Sequence, residues 1–232
     1  MNFYMIVEGD RTEMDVYPVW LSVLAPKYTR IDNAWDVKDN NYYLFSGGGI
    51  PSIFNHIAHA VEDINNINNN IGLGHFDFLL ICLDTEEKSR EYILGEINTV
   101  LVQNNISLIA PTTMEVFEQK ICMETWFLGN RKYFKKNPQN PEYLKNIQFY
   151  NVGENNPEDM GNIDISRYNT TAQFHHKYLK RMIEERNEIY NKYDTHVVQN
   201  PAYLYQLVHR YNTTHHINTF GRWYEFIINH CK

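Results

Sequence analysis

Two acidic clusters, each closing an apolar run, hold the residues whose types and spacing could do chemistry: Phe3-Tyr-Met-Ile-Val-Glu8-Gly-Asp10 and Phe76-Asp-Phe-Leu-Leu-Ile-Cys-Leu-Asp84-Thr-Glu86-Glu87. Apolar runs of this length read as strands buried on both faces, which puts the carboxylates at the carboxyl ends of strands. In open α/β sheets that edge is where ligands and metals gather. Glu8, Asp84 and Glu86 together would offer an all-oxygen donor set suited to a hard divalent cation such as Mg²⁺. Taken singly, each also reads as a surface acid at a turn or a helix cap.

The elements that must position these acids alternate along the first part of the chain. Strand 3–7 is followed by a helix over about 12–25, with Val16, Trp20 and Val23 or Leu24 at helical spacing. A strand at 42–45 leads through Ser46-Gly-Gly-Gly49 into a helix near 51–66, with Ile53, Ile57, Ala60, Val61 and Ile64 on one face. An Asn-rich loop then precedes strand 76–83, a helix from 87 to 104 and a strand at 106–109. Four strands separated by helices imply right-handed crossovers and a mainly parallel sheet, hence an α/β fold. Beyond residue 110 the pattern turns helical, over 114–134, 171–193, 199–211 and 219–230, with a polar Asn/Pro-rich excursion or lid at 137–161. The expected organisation is an α/β core over 1–135 and a helical carboxy-terminal part over 136–232.

Composition narrows the setting. A chain of 232 residues can bury a sizeable core. No apolar stretch approaches the roughly 18 to 20 residues that span a bilayer, so a soluble protein without a membrane partner is expected. The first strand follows Met1 directly with no basic segment before it, so no signal peptide is expected. Cys82, Cys122 and Cys231 match neither a disulfide framework nor a zinc spacing, which fits a reducing cytoplasm. The formal net charge of -7 argues against a surface that is basic throughout. Nucleic acid remains open as a partner, because an acidic metal centre can coexist with basic patches elsewhere. Arg131-Lys132-Tyr-Phe-Lys135-Lys136 and His175-His176-Lys177-Tyr-Leu-Lys180-Arg181 both interleave cations with aromatics, the pattern of phosphate contact with base stacking and equally of a solvated helix face.

Four segments, taken in order, resemble those of Toprim-domain proteins, and most of all the RloB-like branch found with bacterial anti-phage loci. They are Val7-Glu8-Gly-Asp-Arg-Thr-Glu13, Gly47-Gly-Gly-Ile-Pro51, Leu83-Asp84-Thr-Glu86 and Cys122-Met-Glu124-Thr-Trp126-Phe-Leu128, and the resemblance covers about residues 3–135. It implies a Rossmann-like Toprim fold and a centre, as in the nucleases of the overcoming-lysogenization-defect group, where a Glu after the first strand and an Asp-x-Asp after a later one hold Mg²⁺ or Mn²⁺. Glu8 matches the first, and Asp84 with Glu86 the pair. This chain has Asp-Thr-Glu, and the extra methylene of Glu86 suggests ligation through water, or replacement by Glu87.

Other residues are candidates for supporting roles. Glu13, five residues after Glu8, and Glu124 would complete a second metal site or orient a water; Glu13 otherwise reads as an exposed acid favouring the helix dipole. Glu124 sits among Cys122, Trp126 and Phe127, where a carboxylate needs a partner. Arg11 and Lys88 are candidate phosphate contacts near the acidic clusters, as are Arg131, Lys132, Lys177, Lys180 and Arg181 farther along. The Gly47–Gly49 turn could bring backbone amides to a phosphate, but no Gly-Lys-Ser/Thr follows, so it is not a Walker A loop. Adjacent histidines point about 100° apart on a helix, so neither His175-His176 nor His215-His216 is a ready zinc site, and no Glu or Cys completes one around His56 and His59. One of His175 or His176 could act as a general base if its helix folds over the strand ends.

The expectation is thus a Toprim-type, Mg²⁺- or Mn²⁺-dependent nuclease of phage defence, acting on DNA or RNA. Two alternatives stand beside it. One is a non-catalytic Toprim-like module that binds or senses with a partner such as an ATPase, through hot-spot aromatics drawn from 17 tyrosines and 4 tryptophans. The other is a flavodoxin-like fold whose Gly-rich turn holds a phosphate cofactor.

Overall fold

The computed structural model describes residues 1–86 and 88–231. Internal contacts divide the chain into two units, Met1–Leu83 with Lys88–Glu118 and Ile227–Lys232, and Asp84–Glu87 with Gln119–Phe226. The division comes at Glu118, ahead of the expected 135. Residues 114–134 are not one helix: they begin in strand β5 (Thr113–Gln119), which belongs to the sheet, and continue into the short helix α4 (Met123–Phe127).

The first unit is an α/β layer built on β1 (Phe3–Val7), α1 (Thr12–Leu24), β2 (Thr29–Ile31), β3 (Asn41–Ser46), α2 (Ser52–Asn68), β4 (Phe78–Asp84), α3 (Arg90–Gln103) and β5. The five strands form one parallel sheet in the order β2-β3-β1-β4-β5, a Rossmann-like arrangement with β1 at its centre. Phe3 pairs with Tyr42 on one side and Phe78 on the other, and Val7 with Ser46 and Cys82. Side chains alternate between faces. Tyr4 and Ile6 of β1 and Leu79, Ile81 and Leu83 of β4 join one core with Ile53, Ile57, Val61 and Ile64 of α2 and Ile93 and Ile97 of α3. Phe3, Met5, Val7, Leu80 and Cys82 are buried on the other face, where the Cys82 thiol is hydrogen-bonded to Tyr17 of α1. Each fully buried side chain of the Leu, Ile, Phe or Met kind contributes about 1.5–3 kcal/mol.

Two strand expectations need correction. Residues 106–109 are not a strand: the side chain of Asn65 on α2 accepts from the Ile109 amide (3.0 Å) and donates to the Ser107 carbonyl (2.8 Å), so that backbone is satisfied without a ladder. The edge strand β2 is three residues long, too short to leave a pattern.

The second unit is helical: α4, α5 (Pro141–Phe149), α6 (Thr171–Glu184), α7 (His196–Gln199), α8 (Pro201–Thr214) and most of α9 (Asn218–His230), whose last residues cluster with the first unit. Asn140, Thr170 and Asn200 cap α5, α6 and α8 through side-chain oxygens that accept helix amides. The polar segment 137–161 is not an open excursion. Tyr143 and Val152 are fully buried, and the buried Arg210 of α8 donates to the carbonyls of Gly129 (3.2 Å), Val152 (2.6 Å) and Asn155 (2.6 Å). The Glu158 carboxylate accepts the amides of Asn218 and Thr219 (both 2.9 Å) at the start of α9. Among the described residues no helix is long and apolar enough to cross a membrane.

Candidate functional site

Glu8 follows the last residue of β1, and Asp84 is the last residue of β4. These strands are neighbours and parallel, so both acids stand at the carboxyl edge of one sheet. The Glu8 backbone is held at three points: its amide donates to the Cys82 carbonyl (3.0 Å), and its carbonyl accepts from the Gly49 amide (2.9 Å) and the Ser46 hydroxyl (3.4 Å). The Gly-rich turn can wrap this carbonyl because Gly48 and Gly49 adopt φ of 70° and 83°, a region that strains other residues. Both Glu8 and Asp84 are half-buried.

Glu13 is buried, which rules out the alternative of an exposed acid in the first helical turn. Its Oε1 accepts from the Gly9 amide (3.2 Å), so the carboxylate closes the start of α1 in place of a capping side chain at Arg11, which has none. Arg11 itself is exposed.

Glu86 departs from its expected place. The strand ends at Asp84, Thr85 is buried with its hydroxyl accepting from the Ile121 amide (3.1 Å), and Glu86 is exposed with φ of 49°. The two-residue alternation that would put both carboxylates on one strand face therefore does not reach Glu86. Glu87 lies outside the described residues. Among the described residues no group of three or more His, Cys, Asp or Glu side chains is arranged to hold a metal ion.

Glu124, on α4, is buried and engaged. Its Oε1 accepts from His176 Nδ1 on α6 (2.9 Å) and from the Tyr190 hydroxyl (3.1 Å). Burial alone would raise its pKa. The hydrogen bond and charge of His176, followed by its backbone hydrogen bond and Lys192, outweigh burial and hold it below the usual glutamate range. Asp84 belongs to the same unit, and the fields of Glu124 and Asp84 both fall on the Cys122 thiol, whose pKa burial and these two charges push well up. Cys122 is therefore a neutral thiol and no nucleophile.

The two adjacent histidines of α6 have different roles. His175 is fully buried; its Nε2 faces the Met160 carbonyl (3.0 Å), which can only accept, so Nε2 carries a hydrogen, and its Nδ1 is hydrogen-bonded with the Thr125 hydroxyl (2.8 Å). It is a fully buried core residue with both ring nitrogens engaged. His176 is half-buried and bonded through Nδ1. Among the described residues the remaining histidines join no metal-holding group: His56 packs edge-on against Phe45, and burial together with Arg210, which His216 Nδ1 faces at 3.0 Å, lowers the His216 pKa.

The basic candidates are partly consumed by structure. Arg181 bonds Asn146 (3.3 Å) and the Tyr168 hydroxyl (3.1 Å), and Lys180 pairs with Glu184 (3.8 Å). Lys88 lies over the Tyr92 ring (5.0 Å), and Arg131, Lys132 and Lys177 are exposed. Arg131 and Lys132 follow α4 in a turn, so they share no helix face. An open cleft of about 630 Å³ in the second unit is lined by Lys135, of the basic segment 131–136, and by Asn140, Glu184, Glu185 and Asn187. No protein-family profile, curated protein or solved structure matches this chain.

What sequence reasoning missed is the coupling of Glu124 to His176 and Tyr190, 52 and 66 residues away. The available signal was a carboxylate among apolar neighbours, which demands a partner without naming it.

Proposed function

We propose that this chain is a metal-dependent phosphodiesterase, a nuclease of Toprim type that acts on DNA or RNA, with Glu8 and Asp84 as the residues that hold Mg²⁺ or Mn²⁺. The observation that carries the reading is that these two acids end adjacent parallel strands at the carboxyl edge of the sheet. The donor set suits a hard cation held by one or two carboxylates and completed by water and phosphate oxygens, and does not suit an all-protein cage. Such an ion, when bound, neutralises phosphate charge and makes water a better nucleophile. Glu13 holds the turn after Glu8 in place, and the exposed Arg131, Lys132 and Lys177 supply cations for a nucleic-acid backbone. The setting in phage defence and in the cytoplasm rests on the resemblance and on cysteine usage.

The exposed, left-handed Glu86 favours a second reading, in which the acidic motif has lost its chemistry and the chain is a binding or sensing module beside a partner such as an ATPase. One experiment separates the two. Melting curves with EDTA, Mg²⁺ or Mn²⁺ are recorded for wild type and Asp84→Ala, beside cleavage assays on plasmid DNA and single-stranded RNA. A Mn²⁺-dependent rise and cleavage, both lost in the variant, support the nuclease; neither effect in wild type supports the module.

A further inference from the structure

We infer that the second unit holds a phosphate site built from Arg131, Arg210 and His216, whose ligand is a phosphate dianion, free or carried at the end of a nucleotide or strand. All three residues belong to that unit, so the assignment does not rest on the acidic strand ends. Arg210, 1% exposed, is a buried cation that meets no carboxylate. Its bonds go to the carbonyls of Gly129 (3.2 Å), Val152 (2.6 Å) and Asn155 (2.6 Å) and to His216 Nδ1 (3.0 Å). Its Nε is buried without an acceptor among the described residues, as is Nδ2 of Asn130. A buried charge is costly until an opposite charge meets it, and donors left over beside a positive charge suit an anion.

A guanidinium only donates, so His216 Nδ1 accepts from Arg210, the ring is neutral and its hydrogen sits on Nε2. The ring is half-buried, and Nε2 has no partner among the described residues. Gly129, whose carbonyl takes Arg210, packs so closely on Ile217 that a Cβ there would stand 3.0 Å from Ile217 Cδ1. The turn that follows Gly129 is fixed by Asn130 Oδ1, which accepts the amides of Lys132 (3.0 Å) and Tyr133 (3.3 Å), and it carries the exposed Arg131. Burial comes first in lowering the pKa of both Arg210 and His216, and the charge of Arg131 adds to it in each, so the three form one cationic group.

The backbone around His216 is strained. His215 and Ile217, on either side of it, have φ of 54° and 51°, a region that a β-branched residue rarely enters and that recurs at ligand clamps. The nearby acids are already committed. Asp159, whose charge acts on His216, is paired with Lys120 (3.2 Å) and bonded by Asn156 (3.4 Å), and both Glu158 oxygens accept amides at the start of α9. Lys120 thus offsets Asp159, and the two guanidiniums remain to balance a dianion, with His216 Nε2 as a neutral donor beside them.

The test measures binding to the full chain in EDTA at fixed ionic strength, using inorganic phosphate and a 5′-phosphorylated oligonucleotide beside its 5′-hydroxyl counterpart. Arg131 makes no hydrogen bond or ion pair among the described residues, so Arg131→Gln should fold as the wild type does. It is expected to lose roughly 10- to 100-fold in phosphate affinity, the range for hydrogen bonds to a charged group, and Arg131→Lys to recover part of that. Lys145→Gln removes a cation that pairs with Glu142 in the same unit and should bind phosphate as the wild type does. Phosphate should also move the His216 ring titration, followed by NMR, to higher pH, because an anion favours the charged imidazole. A preference for the phosphorylated strand upholds the site and makes a strand end its ligand; binding of inorganic phosphate without that preference upholds it with free phosphate. No phosphate binding by the wild type, an unchanged affinity in Arg131→Gln, or an equal loss in Lys145→Gln overturns it, and none of these touches the metal reading.

Discussion

The Glu13 carboxylate occupies the space where any side chain at Gly9 would begin: a Cβ on Gly9 overlaps the Glu13 carboxyl group. The glycine after the first acid and the acid five residues on from it are thus one device, in which Glu13 seals the turn by accepting the Gly9 amide. Gly9→Ala should displace that carboxylate and cost on the order of 1 kcal/mol, the net worth of a hydrogen bond. A denaturant melt measures this. Glu13→Gln, which keeps an acceptor oxygen, should cost less.

Asp84→Ala should remove metal-stimulated cleavage while leaving the fold intact, because the residue is half-buried at a strand end and not part of the core. The far-ultraviolet spectrum should match the wild type. If the proposed site binds Mn²⁺, wild type should gain about 2.7 kcal/mol of stability with Mn²⁺ at a hundred times its Kd, and the variant should gain none.

The fold was legible where burial is complete and local. β1 and β4 are unbroken apolar runs buried on both faces, and α2 repeats its apolar residues at helical spacing, so each pattern names its element. β5, Thr-Met-Glu-Val-Phe-Glu-Gln, is only partly buried, and its residues run on into α4, so the combined spacing imitates one helix. The Ile106–Ile109 run satisfies its backbone through Asn65, a contact across 42 and 44 residues that no local pattern encodes. The site divides likewise: Glu8 and Asp84 announce themselves by following strands, while the partners of Glu124 come from α6 and beyond.

Glu124 gives the acid side of the stability profile. Its folded pKa is held below the unfolded value, so its contribution is fully present above the usual glutamate pKa of about 4.3 and is lost as pH falls through the folded value. Denaturant melts of wild type and Glu124→Gln should therefore differ most at neutral pH and converge as the pH drops below about 4.

Arg210 is a buried cation bound to the carbonyls of Gly129, Val152 and Asn155, and burial lowers its pKa to about 10. Lysine lacks the planar fork that reaches several acceptors at once. Arg210→Lys should lower stability by about 3 kcal/mol, in the range for losing hydrogen bonds from a charged donor, and proteolysis should then reach the 150–156 segment first.

The end of α9 gives the sheet a debt to the far end of the chain. The Cys231 thiol meets the Tyr28 hydroxyl, whose ring lies 5.2 Å from Phe3, and His230 stands edge-on to Phe78 at 5.3 Å. During synthesis, the strands of residues 3–84 leave the ribosome while the side chains that cover this part of their apolar face are still more than a hundred codons away. Until residue 231 is out of the exit tunnel, Tyr28 and Phe78 lack the Cys231 and His230 side chains that they meet in the folded chain, so this part of the sheet is finished only at the end of synthesis.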